Sequence, residues 1–507
     1  MPEPLLRMEE ITKVFPGVIA NDRVSFDVAP GEVHALLGEN GAGKTTLMNI
    51  LTGLYQPDGG RIHWHGREVQ IPSPKAAIKL GIGMVHQHFM LVPTFSVVQN
   101  IAMGLRETRS PVLHLDRLAE EIRRLATRFR TDLDPWAVTE TLPLGTRQKV
   151  EILKALHRKA RLLILDEPSA VLTPQEFAEL AGILRALVEE GVSLIFISHK
   201  LEEVMRVTDR VTVLRQGRVV DTVPTSETSP PELARMMVGR PVVFDFAKAD
   251  IQPGPPILEI GDVCVEDSHG LPLLKDLSLT VRRGEILGIA GVDGNGQREL
   301  AEVVFGLRKP TSGTVRIDGE NITGWTPRDL TARRVGRIPE DRHGMGLTPS
   351  LTVRENLLLE RFQEPPFCRR GFLNRPAIEE ESRRLIRDHD IRPPSQGLTA
   401  GSLSGGNQQK VIIARVMLKP PELLIAVNPT RGLDVGATEF VYKTLLKQRE
   451  RGSAILFISS ELSEIMSLSD RIAVLYEGRV QGEVAGAEAD ELVLGLWMAG
   501  ASGGDGP

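Results

Sequence analysis

The sequence predicts an α/β protein built as two tandem domains, each with a mainly parallel sheet covered by helices. Three observations carry that prediction: a domain-length internal repeat, short apolar runs that end at glycine or acidic residues, and helix-like stretches between those runs.

The repeat begins at Leu6 and again at Leu258. Lys44 corresponds to Gln297, an offset of 297 − 44 = 253, and Val24-Ser25 matches Leu277-Ser278 at the same offset. Farther on, His199 matches Ser460 and Gly217 matches Gly478 at an offset of 261, so the second copy carries a net insertion of 261 − 253 = 8 residues. The Pro-, Phe- and Arg-rich stretch at residues 364–374 is the expected place for it. A repeat of about 240 residues is domain-sized rather than solenoid-sized. The expected division is a first domain over residues 1–245, a proline-rich linker at 246–256, a second domain over 257–495 and a frayed tail at 496–507.

Within the first copy, residues 33–37 form an apolar run that ends at glycine and leads into a helix-like stretch from Gly43. Residues 162–165 and 194–197 read as further buried strands. Thr173 and Pro174 fit the N-cap and first turn of a helix between them. Residues 215–218 and 476–479 are matched hairpin turns.

Composition narrows the function classes. A chain of 507 residues with a formal charge of −5 lacks the basic footprint of a nucleic-acid binder. Cys264 and Cys368 lie too far apart for a metal-type spacing and read as reduced thiols of a cytosolic protein. The acidic start MPEPLLRMEE has no apolar core and is no signal peptide. No apolar run approaches the ~20 residues of a membrane helix, so a membrane role would come through partners.

Gly38, Glu39, Asn40, Gly41, Ala42, Gly43, Lys44 and Thr45 fit the P-loop pattern in full, between a strand and a helix as that pattern requires. Glycines let backbone N–H groups curl around phosphate oxygens, and the following helix aims its N-terminus at the same anion. Lys44 would neutralise the β- and γ-phosphates and the Thr45 hydroxyl would bind Mg²⁺, with Thr46 beside it in the nucleotide-binding set. Downstream, LLILDEP delivers two acids at a strand end, where open α/β sheets bind ligands. An Asp-Glu pair there is also a common helix-start device; the upstream P-loop favours chemistry. Asp166 would then hold hydrated Mg²⁺, and Glu167 would orient or deprotonate the attacking water.

With these motifs in place, the sequence resembles the ABC ATPase family across nearly its whole length. The resemblance implies two tandem P-loop ABC ATPase domains, each a mainly parallel sheet with an antiparallel subdomain and a helical subdomain. It implies that Phe15 stacks on adenine and that Gln87, in MVHQHF, reaches the metal and the water. It implies that His199, in FISHK, contacts the γ-phosphate. Ser404, Gly405 and Gly406, in LSGGNQQK, resemble the family signature, which offers a hydroxyl and amides to the γ-phosphate at the opposite half's P-loop.

The two copies are unequal. Gln297 and Arg298 replace the P-loop Lys and Thr, Val427 and Asn428 replace the acid pair, and Glu340, Ser460 and Ser268 stand at the Gln87, His199 and Phe15 positions. Pro143 replaces the signature serine in the first copy, while Asp434 keeps a family loop residue whose counterpart is Thr173. In the head-to-tail pairing that the resemblance implies, all losses fall in one composite site. One hydrolytic site is expected, with Lys44, Thr45, Gln87, Asp166, Glu167 and His199 completed by Ser404, Gly405 and Gly406. The second loop keeps its glycines, and Arg298 could lend it positive charge, so nucleotide retention there stays open.

PTRGLDVGA and SGGNQQK further resemble ATPases of bacterial sugar and nucleoside importers, and the segments around Gln87 and Gly291 look nearest the nucleoside branch. The resemblance implies ATP and Mg²⁺ as cofactors, transmembrane permease subunits, an extracytoplasmic solute-binding protein, and a peripheral place on the cytoplasmic face of the membrane. Phe89, Met90, Leu91 and Phe95 read equally as a permease dock or as helical-subdomain core. The alternatives are a ribose-like sugar importer and, in another class, a tandem ABC ATPase acting on ribosomes or DNA repair. The short proline-rich join and the single decayed site favour transport.

Overall fold

A computed structural model describes residues 3–86, 89–104, 114–128, 131, 133–169, 172, 174–198, 200–240, 248–249, 251–292, 294–498 and 500. The chain divides into two compact units, Met1–Val242 and Val243–Pro507.

In the first unit, the strand Val33–Leu37 is buried at every position, so it can only lie inside a sheet covered on both faces. It pairs in parallel with Ser193–Ile197 on one side and Arg210–Arg215 on the other. The full order is Arg218–Pro224, Arg210–Arg215, Val33–Leu37, Ser193–Ile197, Leu162–Asp166, Ile82–Val85, with only the first pair antiparallel. That pair turns at Gln216 and Gly217, both at positive φ, 50° and 77°. Positive φ at both central positions is the hairpin geometry that matches strand twist. A second sheet of four antiparallel strands, Val18–Val28, Leu6–Phe15, Gly59–Trp64 and Arg67–Val69, packs its apolar face on the helix Lys44–Leu51. Helices Val97–Ala102, Leu115–Arg128 and Leu144–His157 pack on one another as a helical subdomain.

The second unit repeats the plan strand for strand, with Ile286–Ala290 in the place of Val33–Leu37 and an antiparallel edge pair Arg471–Tyr476 and Arg479–Ala485. The α/β class, the parallel and antiparallel sheets and the helical subdomain are therefore as the sequence predicted. Within the stretch expected as linker, Lys248 Nζ donates to Ser469 O at 2.7 Å, and Gly254 N donates to Arg283 O at 2.8 Å, both in the second unit. Among the described residues no helix is long and apolar enough to cross a membrane, and both cysteines are free.

The eight extra residues are not gathered in one loop. Two buried asparagines give the register. Asn100 accepts from Val92 N at 2.7 Å, and Asn356 accepts from Thr348 N at 2.9 Å, an offset of 356 − 100 = 256. The bridges Ser96 to Val138 and Thr352 to Thr399 then give 399 − 138 = 261. Three extra residues therefore precede residue 348, where a five-residue π-type turn, Arg342–Gly346, is capped by Asp341. The other five follow residue 356, in a region that includes the hairpin Cys368–Arg369 with Phe372–Leu373. The sequence expectation was right for the larger part only, because a short insertion inside a polar turn leaves no compositional mark.

Asn100 is fully buried, and its amide also donates to Val92 O at 3.1 Å and Thr139 Oγ1 at 2.7 Å. Asn100→Ala would strand those groups without water and is expected to destabilise the first unit by about 2 kcal/mol, read as a lower urea midpoint.

Candidate functional site

The loop after Val33–Leu37 is shaped by glycines. Gly43 has φ 103°, and a Cβ there would lie 2.3 Å from Ala20 O, so no other residue fits. Gly41 has φ 83° and open space where its Cβ would point, leaving the mouth of the loop free for phosphate. Helix Lys44–Leu51 begins at the loop's end, with its first N–H groups toward that mouth. Lys44 folds back over the loop: Nζ donates to Gly38 O at 2.5 Å and to Glu39 O at 3.1 Å. Thr45 is exposed and Thr46 half-buried at the same helix start.

Asp166 is the last residue of the strand Leu162–Asp166 and pairs in register with Ile197. Glu167 follows at φ 48°, a left-handed conformation rare for a side chain of this size, and its N–H donates to Ile197 O at 2.8 Å. Burial pushes the Asp166 carboxyl above the usual range, the Glu167 charge pushes it the same way, and Lys44 and His86 oppose them. The structure thus brings Lys44, Asp166 and Glu167 into one electrostatic neighbourhood. His86 also belongs to it, although the sequence reading passed over it. Gln87, His199 and Thr173 lie outside the described residues. Phe15 ends its strand half-buried, edge-on to Tyr55 at 5.5 Å between centroids, with Lys13 Nζ 5.7 Å from its ring.

Thr45 and Asp166 offer a hydroxyl and a carboxylate, the hard oxygen donors that suit Mg²⁺. A carboxyl burdened by burial and a like charge is one that a divalent cation would relieve. These residues fit the metal.

In the second unit, Ser404 is the exposed N-cap of helix Gly405–Met417, and its Oγ accepts from Asn407 Nδ2 at 2.9 Å. Gly405 is half-buried and Gly406 buried, where a Cβ would meet Ala437 Cβ at 3.0 Å. Asp434 caps the helix Val435–Glu450 by accepting from Ala437 N at 2.8 Å. In the first unit Pro143 stands at the equivalent N-cap and offers no side-chain bond.

The second glycine loop keeps the backbone of the first: Gly291, Gly294 and Gly296 have φ 157°, 94° and 106°, against 154°, 83° and 103° at Gly38, Gly41 and Gly43. Its side chains are engaged by the loop backbone and the following helix. Gln297 Nε2 donates to Val292 O at 3.1 Å, as Lys44 does to Glu39, while its Oε1 accepts from Asn295 N at 3.1 Å. Arg298 donates to Glu302 Oε1 at 2.8 Å along its own helix, so the charge that could have met phosphate has a carboxylate partner. Asn428 Oδ1 accepts from Ser460 N at 2.8 Å, and Glu340 is ion-paired with Arg431.

A glycine-lined loop between a buried parallel strand and a helix, with a strand-end acid pair in its field, defines a P-loop nucleotide-binding protein. The family model described as ABC transporter matches residues 21–170 and 274–431. The guanosine import ATP-binding protein NupO of Bacillus subtilis is 49% identical over 500 residues, spanning 99% of this chain and 98% of that protein. The nucleoside import ATP-binding protein NupA of Lactococcus lactis is 47% identical, spanning 98% of each. The ribose import ATP-binding protein RbsA 1 of Rubrobacter xylanophilus is 44% identical, again spanning 98% of each. The chain belongs to the ABC transporter family.

The raised Asp166 pKa has a testable consequence. A carboxyl that binds its proton more tightly when folded makes stability fall as pH rises from the ordinary Asp value through the raised one. At neutral pH without nucleotide or Mg²⁺, the ionised group therefore costs stability. Asp166→Asn should melt at a higher temperature than wild type under those conditions by scanning calorimetry, while losing ATP turnover.

Proposed function

We propose that this chain is the ATP-hydrolysing subunit of a membrane importer for nucleosides, with a single hydrolytic site. The observation that carries the substrate is the end-to-end similarity to guanosine and nucleoside import ATP-binding proteins, at 49% and 47% identity. The single site is supported by the contrast between the two glycine loops, one crossed by a lysine ammonium and the other by a neutral carboxamide.

In this reading the loop amides and Lys44 grip the β- and γ-phosphates of ATP, and Phe15 stacks on adenine. Thr45, Asp166 and Gln87 would hold Mg²⁺, which when bound would supply positive charge to neutralise the phosphates. Glu167 takes a proton from water as its oxygen attacks the γ-phosphorus, and the bond to the β-γ bridging oxygen breaks to release ADP. His199 contacts the γ-phosphate, and Ser404, Gly405 and Gly406 offer a hydroxyl and amides suited to a γ-phosphate. The raised Asp166 pKa favours this role, since a bound cation would stabilise the carboxylate charge that burial and Glu167 disfavour.

The partners are transmembrane permease subunits and, through them, an extracytoplasmic solute-binding protein; the chain sits peripherally on the cytoplasmic face of the membrane. Met90 is 59% exposed and Phe95 38% exposed, which supports an apolar dock for a permease helix over a core role. The backbone of Met90 is gripped by the helix Leu144–His157: its N–H donates to Glu151 at 2.7 Å, and its carbonyl accepts from Lys154 at 3.0 Å. A second reading, a ribose-like sugar importer, is supported by the 44% identity to RbsA 1.

Uptake of labelled guanosine and labelled ribose, in cells whose only copy is wild type or Glu167→Gln, separates the readings. Selective loss of guanosine uptake is the expected result, and loss of ribose uptake instead would overturn the substrate. With the purified transporter, Glu167→Gln should lower ATP turnover by about 10²–10⁴-fold. Substantial hydrolysis in that variant would refute the one-site reading.

A further inference from the structure

We propose that Glu203 is a positioning residue for ATP hydrolysis, tying Ser169, just after Glu167, to Ser198 and so setting the general base against the γ-phosphate. The inference rests on the reading of Glu167 as general base.

The strands Leu162–Asp166 and Ser193–Ile197 are neighbours, and their shared ladder closes at Asp166 with Ile197 and at Glu167 N with Ile197 O. Beyond that point one carboxylate joins Ser169 to Ser198. Glu203, on the helix Leu201–Val207, accepts at Oε2 from Ser169 Oγ and, at 3.2 Å, from Ser198 Oγ. Lys200 N in turn donates to Ser198 Oγ at 3.1 Å, so both neighbours of residue 199 belong to the network. Lys200 Nζ lies 3.8 Å from Glu203 Oε1 and balances its charge. Ser169 and Ser198 are 3% and 2% exposed, so water does not compete for either hydroxyl.

The geometry at Glu167 gives this bridge its importance. A glutamate at φ 48° persists only where its surroundings hold it there. Ser169 is two residues beyond Glu167, and Ser198 is one residue before His199. Releasing the bridge frees both turns together, while the P-loop that grips the nucleotide keeps its own contacts.

The second unit repeats the device at the 261-residue offset. Glu464 accepts from Ser459 Oγ at 2.7 Å and also from Thr430 and Tyr442. Glu461 N donates to Ser459 Oγ at 3.1 Å. There the acid pair is gone, and Asn428 binds Ser460 N directly as an additional tie. The retention poses the rival explanation, that the network only stabilises the fold, and the test must separate the two.

ATP turnover, KM for ATP, affinity for a fluorescent ATP analogue and thermal melting would be measured for the assembled transporter carrying Glu203→Ala, Glu203→Gln or Ser169→Ala/Ser198→Ala, beside Glu167→Gln. A misplaced catalytic pair costs on the order of 10- to 100-fold in kcat. Glu203→Ala should show that loss with KM and analogue affinity within about twofold of wild type. Glu203→Gln keeps a carbonyl acceptor for both hydroxyls and should stay within about threefold of wild-type kcat. Wild-type turnover in Glu203→Ala would overturn the inference. So would losses of kcat in the Ala and Gln variants that are equal and follow a lowered melting temperature. Should Glu203→Ala not fold, the double serine variant decides: reduced kcat with unchanged KM supports positioning, and wild-type kcat overturns it. If Glu167→Gln hydrolyses ATP normally, the general-base reading falls and takes this inference with it. If only Glu203→Ala is normal, the inference falls alone.

Discussion

Parallel strand pairing is the constraint on which the rest depends. Val33–Leu37, Ser193–Ile197 and Leu162–Asp166 run the same way and are adjacent, so the chain leaves all three at one edge of the sheet. That edge receives the glycine loop, the acid pair and the turn around residue 199 without any of them being near the others in sequence. The strands are buried almost throughout, and this apolar burial holds the register. A shift of register between Leu162–Asp166 and Ser193–Ile197 would move Asp166 and the residue-199 turn apart by a strand step of roughly 3.3 Å, more than a hydrogen bond tolerates.

The sequence shows most clearly what is local. The P-loop is readable because eight consecutive residues carry the whole requirement, and the structure gives the loop, the helix start at Lys44 and the nearby Asp166 and Glu167. The hairpin turns are readable for the same reason, since two residues must take positive φ. The Glu203 network is illegible in sequence because Ser169, Ser198 and Glu203 are ordinary residue types, and the first is 34 residues from the last. The influence of His86 on Asp166 is hidden too, because it depends on neighbouring strands rather than on spacing.

One expectation failed for want of tertiary information. The insertion in the second copy was assigned to one conspicuous stretch, yet part of it is a turn at Arg342–Gly346 with unremarkable composition. Arg298, which the sequence leaves open as a source of positive charge, has Glu302 one turn away on its helix, and the pair forms. Side-chain type says what a residue can do, and its neighbours decide what it does.

Those neighbours tie the second loop to its own unit. Gln297 leans on the backbone of Val292 and Asn295, Asn295 also accepts from Glu477 N, Asn428 holds Ser460, and Glu340 faces Arg431. Each of these side chains has its partner within the same unit, so the second loop behaves as an interlocked set. Replacing one residue by its first-unit counterpart breaks a present contact, and recreating the first unit's arrangement there requires several coordinated replacements at once.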